Sequence, residues 1–310
     1  MKILITGIHG FVGSNLVKSL KNNHVIFGLD IVSSPISGVV KIFNWNELML
    51  LPEVDVIIHL TGKAHDTKNK SLAEEYFNVN TELTKNIYNW FLEINARKFI
   101  FFSTVKAVAD VVKEEILTED VEPMPVGPYG ESKREAEIYI LNQHADTRVK
   151  QTYILRPSMI HGEGNKGNLN LLFAFVKKSI PWPLGAFQNK RSFTSMENLI
   201  FILHNLIDND IESGIYQVAD DEAVSTRELI SIISEVIQKP VRIWNINQSL
   251  INTLALIGTW LHLPLNQERV QKLTENYVVS NVKIKKAMGI QKMPVAAIDG
   301  LKKTIKSFMR

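Results

Sequence analysis

A short apolar strand runs into three glycines spaced three apart, and the next apolar strand ends in an acid. Lys2-Ile3-Leu4-Ile5-Thr6 has the composition of a buried strand, Gly7-Ile8-His9-Gly10-Phe11-Val12-Gly13 follows, and a helical apolar pattern continues through Leu16, Val17 and Leu20. Gly7, Gly10 and Gly13 allow a tight turn, close approach of backbone to a pyrophosphate and close packing of helix on strand. The helix start at Phe11 and Val12 offers free N–H groups and a positive dipole end to phosphates. A glycine-rich turn also occurs in plain α/β folds, so the deciding context is the strand from His24 to Asp30. Asp30 is placed to accept from both ribose hydroxyls of an adenosine and would repel a 2′-phosphate. This favours NAD(H) and leaves NADP(H) open.

The βα alternation continues. Val39–Phe43 reads as a third strand and Val54–Leu60 as a buried one, closed by Thr61-Gly62 at the carboxyl edge where open α/β sheets bind ligands. His59 reads as a satisfied core histidine. His65, in the polar loop that follows, either faces substrate or is solvated. Ser71 to Ile94 reads as one long helix, on which Asn80 either holds a strand carbonyl or a cofactor hydroxyl or is an ordinary surface asparagine. Lys98–Phe102 is the next strand. Ser103 and Thr104 at its end either donate to a substrate oxygen or cap a turn. The acid-rich loop from Ala107 to Gly127 is expected to cover the site mouth.

Pro128 suits a first helical turn, and Tyr129 and Lys133 lie four apart on one face of the helix it opens, which runs to Gln143 with apolar Ile138 and Leu141. A free tyrosine titrates near pH ~10, and a neighbouring ammonium lowers that value, so the pair can exchange a proton with a substrate hydroxyl. Alone the spacing is a weak motif. Gln151–Arg156 is another strand, and after Pro157 the alternation ends. The expected fold is a Rossmann-type doubly wound parallel sheet over residues 1–160, with a smaller, mostly helical substrate-binding domain over 161–310 and part of 190–208 packing back on the first. In the second half Ser225 with Glu228 fits a capping box.

Composition removes several classes. The 310 residues contain no cysteine, which excludes disulfides, thiolate catalysis and Cys-ligated metals and fits a reducing, cytoplasmic compartment. No metal site is expected. A dispersed net charge of +3 does not suggest nucleic acid. Leu250–Leu265 is apolar but shorter than the ~20 residues of a span. It reads as a buried or interface helix, a membrane-surface helix being the lesser alternative, so membrane contact is not expected.

Together, Thr6-Gly7 with Gly10 and Gly13, Asp30, Asp55 to Gly62, Asn78-Val79-Asn80, Ser103-Thr104, Tyr129 with Lys133, and Leu155-Arg156-Pro157 resemble the extended short-chain dehydrogenase/reductases of the nucleotide-sugar epimerase, dehydratase and reductase group. The resemblance runs the full length. It implies that Tyr129 is the general acid/base, that Lys133 binds nicotinamide ribose and lowers the Tyr129 pKa, and that Thr104 bonds the reacting sugar oxygen. It implies cofactor contacts at Gly7, Gly10, Phe11, Val12, Gly13, Asp30, Leu60, Thr61, Gly62, Asn80, Ser103, Tyr129, Lys133 and Pro157. On the substrate side it places Asn168 and Arg191 at the diphosphate of a UDP-sugar and Leu184 and Phe187 near the base, with His65, Thr104 and Tyr129 completing the set. The acid–base pair that follows the catalytic Thr in the group's 4,6-dehydratases is replaced by Val105 and Lys106, which argues against dehydration.

Ser103-Thr104-Val105-Lys106, Asn165-Lys166-Gly167-Asn168, Pro183-Leu184-Gly185 and Lys190-Arg191-Ser192 resemble a narrower set from surface-polysaccharide synthesis. These include proteins labelled UDP-glucose 4-epimerases and C4-ketoreductases of UDP-N-acetyl-6-deoxyhexoses. The expectation is a UDP-sugar C4 reductase, with a 4-epimerase as the alternative and a non-catalytic nucleotide-binding protein as the alternative of another class. A helix-paired homodimer is the expected assembly.

Overall fold

The computed structural model describes residues 1–64, 72–112, 115–143, 149–165, 167–260 and 266–309, without the side chains of 268, 269 and 272. The first half reads β1 (Lys2–Thr6), α1 (Phe11–Leu20), β2 (Val25–Leu29), β3 (Val39–Phe43), β4 (Val56–His59), α2 (Ala73–Phe77), α3 (Leu83–Glu93), β5 (Lys98–Phe102), α4 (Gly127–Asn142) and β6 (Gln151–Pro157). The second half reads β7 (Met159–His161), α5 (Asn168–Lys177), β8 (Phe193–Ser195), α6 (Met196–Asp208), β9 (Gly214–Val218), α7 (Thr226–Val236), α8 (Gln248–Trp260), α9 (Gln267–Thr274), α10 (Val282–Ala287) and α11 (Ala297–Ser307).

Among the described residues, seven parallel strands form the main sheet in the order β3-β2-β1-β4-β5-β6-β9. Strands this apolar must be covered on both faces. On one face α1 and α6 bury Leu16, Leu20, Leu199 and Leu203 against Ile3, Ile5 and Ile58; on the other α3 and α4 bury Ile87, Phe91 and Ile140 against Ile57 and Phe99. The strand order reverses between β1 and β4, which opens a crevice at their carboxyl ends. Register aligns Thr6 with His59, and His59 with Phe101, so the segments after these strands share one edge.

A second core, with Leu169, Phe173, Ile233, Ile251 and Leu301, joins α5, α7, α8 and α11. The capping box at Ser225 and Glu228 forms as its spacing requires. The division near residue 160 is less clean than the alternation suggests. β9 pairs with β6 as the seventh strand, and Ile284 of α10 joins the core of the sheet.

Two expectations change. The helix expected from 71 to 94 is interrupted, because Asn78–Glu82 forms a π turn between α2 and α3. Such turns are frequent at functional sites, and this one turns Asn80 and Thr81 fully inward. The expected helix at Tyr129 forms as α4, which buries Gly130, Ser132, Lys133, Ala136, Glu137 and Ile140 and leaves Ile138 and Leu141 exposed. The Leu250–Leu265 stretch is not a buried helix where it is described, since α8 buries only Ile251, Ala255 and Gly258.

Candidate active site

The turn after β1 is shaped by close contacts. Gly7 has φ +66, in the left-handed region, and its N–H donates to the Leu29 carbonyl at 2.9 Å. A Cβ on Gly13 would lie 2.7 Å from the carbonyl oxygens of Gly7 and Ile8, so only glycine lets α1 start this close to the strand. α1 has Gly10 at its N-cap and no side chain capping it, which leaves the start at Phe11 and Val12 open to an anion. Phe11 lies beneath the turn after β7, since a Cβ on Gly162 would come 3.5 Å from its ring. Thr61 closes the other side, its N–H and hydroxyl donating to Thr6 Oγ1 at 3.2 and 2.9 Å.

Asp30 follows β2 beside this turn. Its Oδ2 accepts from the His9 N–H at 3.0 Å and faces His9 Nδ1 at 3.2 Å, while Oδ1 accepts from the Ile31 N–H at 2.7 Å. His9 Nε2 in turn meets the Ser34 carbonyl at 2.9 Å, so His9 braces the carboxylate, a role its sequence position did not announce. If Asp30 reads ribose hydroxyls, Asp30→Ala weakens NADH binding by about tenfold or more, the worth of charge-assisted hydrogen bonds, and NADPH binding by less. Fluorescence titration of both coenzymes checks this; equal losses contradict it.

The catalytic edge is assembled from β5 and α4. Thr104 caps the short turn Val105–Ala107, its Oγ1 accepting from the Lys106 N–H at 3.2 Å. α4 then approaches this turn closely, because a Cβ on Gly130 would lie 2.5 Å from the Lys106 carbonyl oxygen. That approach brings the Tyr129 hydroxyl beside Thr104. One helical turn on, Lys133 Nζ donates to the Phe102 carbonyl at 2.8 Å under the Phe101 ring. Gly62 leaves room for it, since a Cβ there would come 2.8 Å from Nζ.

Burial pushes the Tyr129 hydroxyl above its ordinary value, with the Thr104 hydrogen bond as the opposing influence. Burial also pushes Lys133 down to about 7, with the Glu137 carboxylate opposing. This corrects the expectation that Lys133 lowers the Tyr129 pKa: without ligand, desolvation dominates and Tyr129 stays protonated. A stability prediction follows. Between pH 7 and the ordinary lysine value of 10.5 the unfolded chain holds a proton that folded Lys133 has released. Stability therefore rises with pH across this window, by up to about 1.4 kcal/mol per unit. Urea midpoints of wild type and Lys133→Met across this window should diverge accordingly; parallel curves contradict it.

Two residues expected at the ligand face inward. Ser103 Oγ donates to Glu137 Oε1 at 2.5 Å, so its proton is not free for a substrate oxygen. Asn80 Oδ1 accepts from the Lys63 N–H at 2.7 Å, and Nδ2 donates to the Lys63 carbonyl and to Ser132 Oγ at 3.1 and 2.9 Å. Asn80 thereby ties the loop after β4 to the helix carrying Tyr129 and Lys133, and both its amide N–H groups serve protein atoms. Glu137, four residues beyond Lys133, forms a bidentate pair with Arg156, from Nε to Oε1 at 2.8 Å and Nη2 to Oε2 at 2.6 Å. Both side chains are fully buried. His59 is satisfied on both ring nitrogens, by Thr6 Oγ1 at 2.7 Å and Thr84 Oγ1 at 2.9 Å, and burial holds its pKa well below the ordinary value.

The second half meets this edge through Tyr277. Its hydroxyl donates to the Ala109 carbonyl at 2.7 Å, and Lys106 Nζ lies 4.9 Å above its ring. Arg191 exchanges backbone hydrogen bonds with Val224 at 3.0 and 2.8 Å, and its Nε donates to the Glu275 carbonyl at 3.4 Å. Leu184 is buried in the second core beside half-buried Phe187. Asn168 opens α5 and is exposed; Pro157 ends β6 and is buried; Leu60 is half-buried after β4. His65 lies outside the described residues. The 107–127 loop packs as part of the fold: Leu117 is fully buried, and its N–H and carbonyl pair with the Val278 carbonyl and the Ser280 N–H, both at 2.8 Å.

Residues 3–219 match the NAD dependent epimerase/dehydratase family. The UDP-glucose 4-epimerase of Vibrio cholerae is 30% identical over 99% of this chain and 95% of its own. The GDP-6-deoxy-D-talose 4-dehydrogenase of Aggregatibacter actinomycetemcomitans is 26% identical over 76% of this chain and 80% of its own. Among solved structures, the UDP-glucuronic acid 4-epimerase from Bacillus cereus in complex with NAD superposes with a TM-score of 0.76 at 20% identity, covering 100% of this chain and 99% of that one, which shows the shared fold. The sheet brings Thr104, Tyr129 and Lys133 together at its carboxyl edge, where open α/β sheets bind their ligands. The chain belongs to the NAD-dependent epimerase/dehydratase family and is an enzyme that uses NAD. The uncapped start of α1, the glycine contacts and braced Asp30 fit that dinucleotide.

Proposed function

We propose that the protein catalyses oxidoreduction at C4 of a UDP-linked hexose or N-acetylhexosamine, as a 4-keto-sugar reductase in the supply of surface-polysaccharide precursors. The observation that carries the reaction type is the juxtaposition of Thr104 and Tyr129 with Lys133 one turn away, at the edge where β4 and β5 end. When bound, the reduced cofactor would supply the hydride that the sugar carbonyl carbon gains, and the oxidised cofactor would accept it in the reverse direction. Thr104 orients the sugar oxygen. Tyr129, protonated in the ligand-free chain, delivers its proton to that oxygen as the carbonyl is reduced, and takes one in the reverse direction. Lys133 is positioned for the nicotinamide ribose, and Arg191 for the diphosphate, which guanidinium groups bind through paired charge-assisted bonds.

Water elimination would need a second acid and base beside Thr104. Val105 offers neither, and Lys106 is engaged by Asp110, Nζ to Oδ1 at 2.6 Å. Support for the reductase over other C4 chemistry comes from the narrower resemblance at Ser103–Lys106, Asn165–Asn168 and Lys190–Ser192. A second reading, a 4-epimerase, is favoured by the Vibrio cholerae relative's name. Both use the same residues and differ in cofactor retention. Denaturing the purified protein and assaying the supernatant separates them: little or no NAD supports the reductase, whereas stoichiometric NAD supports an epimerase that regenerates its cofactor in each cycle.

A further inference from the structure

We propose that the outer face of α8, with the basic cluster beside the segment that leads into it, docks on an anionic lipid bilayer surface. α8 has 13 residues and no charged side chain. Ile251 and Ala255 anchor it in the second core, and Gly258 completes that buried stripe. Leu250, Leu254 and Ile257 repeat the same helical spacing on the adjoining flank and are exposed, as are Leu256 and Trp260, the last with 79% of its surface in solvent. Helical residues three and four apart are neighbours, so Leu250, Leu254 and Ile257 form a continuous apolar ridge. A soluble helix normally turns a charged or polar face outward; here the exposed polar residues Ser249, Asn252, Thr253 and Thr259 are uncharged and interleaved with exposed leucine, isoleucine and tryptophan.

Charge identifies the occupant. Val241 and Trp244 are exposed on the segment preceding α8, together with Lys239 and Arg242. Lys239 Nζ donates to the Lys177 carbonyl and to Ser179 Oγ, and Arg242 Nη1 donates to the Ser179 carbonyl at 3.3 Å. These bonds place Lys239 and Arg242 beside the end of α5, where Lys177 and Lys178 are also exposed. From Val236 to Gln267 the sequence contains no Asp or Glu. An apolar helix flank with Trp side chains, following a segment that carries cations and no Asp or Glu in its sequence, is complementary to anionic headgroups over an acyl region. A second copy on this face would set like charges against each other, which disfavours self-pairing. No described helix is long and apolar enough to cross a membrane, so the contact is peripheral.

The placement bears on the cleft. The 243–245 segment bridges to Trp182 and Leu184, and Gln248 Nε2 donates to the Ala186 carbonyl at 2.7 Å. α8 therefore begins against the loop that carries Leu184 and Phe187, and docking holds the proposed nucleotide-binding side near the lipid surface. The proposal is independent of the C4 chemistry, because it uses none of the residues at the catalytic edge.

The test is flotation of the full chain with phosphatidylcholine vesicles, with and without phosphatidylglycerol. Wild type should float with the anionic vesicles and not with phosphatidylcholine alone. The Leu254→Glu/Ile257→Glu and Lys178→Glu/Arg242→Glu variants should each partition more than about tenfold more weakly, with unchanged unfolding midpoints and unchanged turnover of soluble substrate. Absence of wild-type flotation overturns the proposal, as does equal flotation of wild type and both variants. A wild-type solution mass that falls in Leu254→Glu/Ile257→Glu, without vesicle binding, also overturns it and assigns the face to a second copy.

Discussion

Tyr129→Phe should lower turnover by about 10²–10⁴-fold, the usual worth of a positioned proton donor, while leaving affinity for the UDP-sugar nearly unchanged. The phenylalanine ring keeps the packing of the first turn of α4 against the turn at Lys106, so only the hydroxyl is lost. In the proposed mechanism Thr104 would still orient the sugar oxygen, but the Tyr129 proton would be gone. Steady-state kinetics together with calorimetric titration of the UDP-sugar separate the two effects. Turnover within a few-fold of wild type would remove Tyr129 from the mechanism; lost turnover with equally lost binding would make its role one of packing.

Glu137→Gln should be the most destabilising single change at the site. Glu137 is fully buried and meets the buried Arg156 through two charge-assisted bonds, while accepting from Ser103 and from Arg134 Nη1 at 3.1 Å. Removing one partner leaves a guanidinium uncompensated in the interior, which costs about 3–5 kcal/mol. For a chain of this size that lowers the unfolding midpoint by roughly 5–8 °C. Glu137→Gln/Arg156→Met should recover much of the loss, because the stranded charge is then gone. If the single variant unfolds like wild type, or the double variant is worse by the full sum of two independent losses, the pair is not coupled as described. Glu137 also supports catalysis at one remove. It fixes Ser103, adjacent both to Phe102, whose carbonyl holds Lys133, and to Thr104.

What could be read from the chain alone followed how local each cause was. The dinucleotide cradle was legible because its requirements are contiguous: Gly7 needs a left-handed φ, Gly13 a missing Cβ, and Asp30 a strand end. Tyr129 and Lys133 were legible as a helical pair, and Thr104 as a residue at a strand terminus. Glu137 was not singled out, since one more acid on α4 gives no signal until Arg156 arrives from β6. Tyr277 was invisible for the same reason, reaching Ala109 across more than half the chain. Asn80 and Ser103 were noticed as polar residues near the edge, but their partners depend on tertiary packing: a π turn aims one at Lys63, and a buried carboxylate claims the other. The Leu250–Leu265 stretch shows the limit of periodicity. Its apolar composition read as a buried or interface helix, and among the described residues α8 buries only the stripe of Ile251, Ala255 and Gly258.

The most direct test of the central claim follows the hydride. The protein is incubated with a 4-keto UDP-N-acetylhexosamine and NADH deuterated at nicotinamide C4, and the sugar product is read by proton and deuterium NMR. The reductase account predicts NADH consumption with deuterium at sugar C4, and neither in Tyr129→Phe. Deuterium at another carbon, or turnover of the sugar with none incorporated, would contradict it.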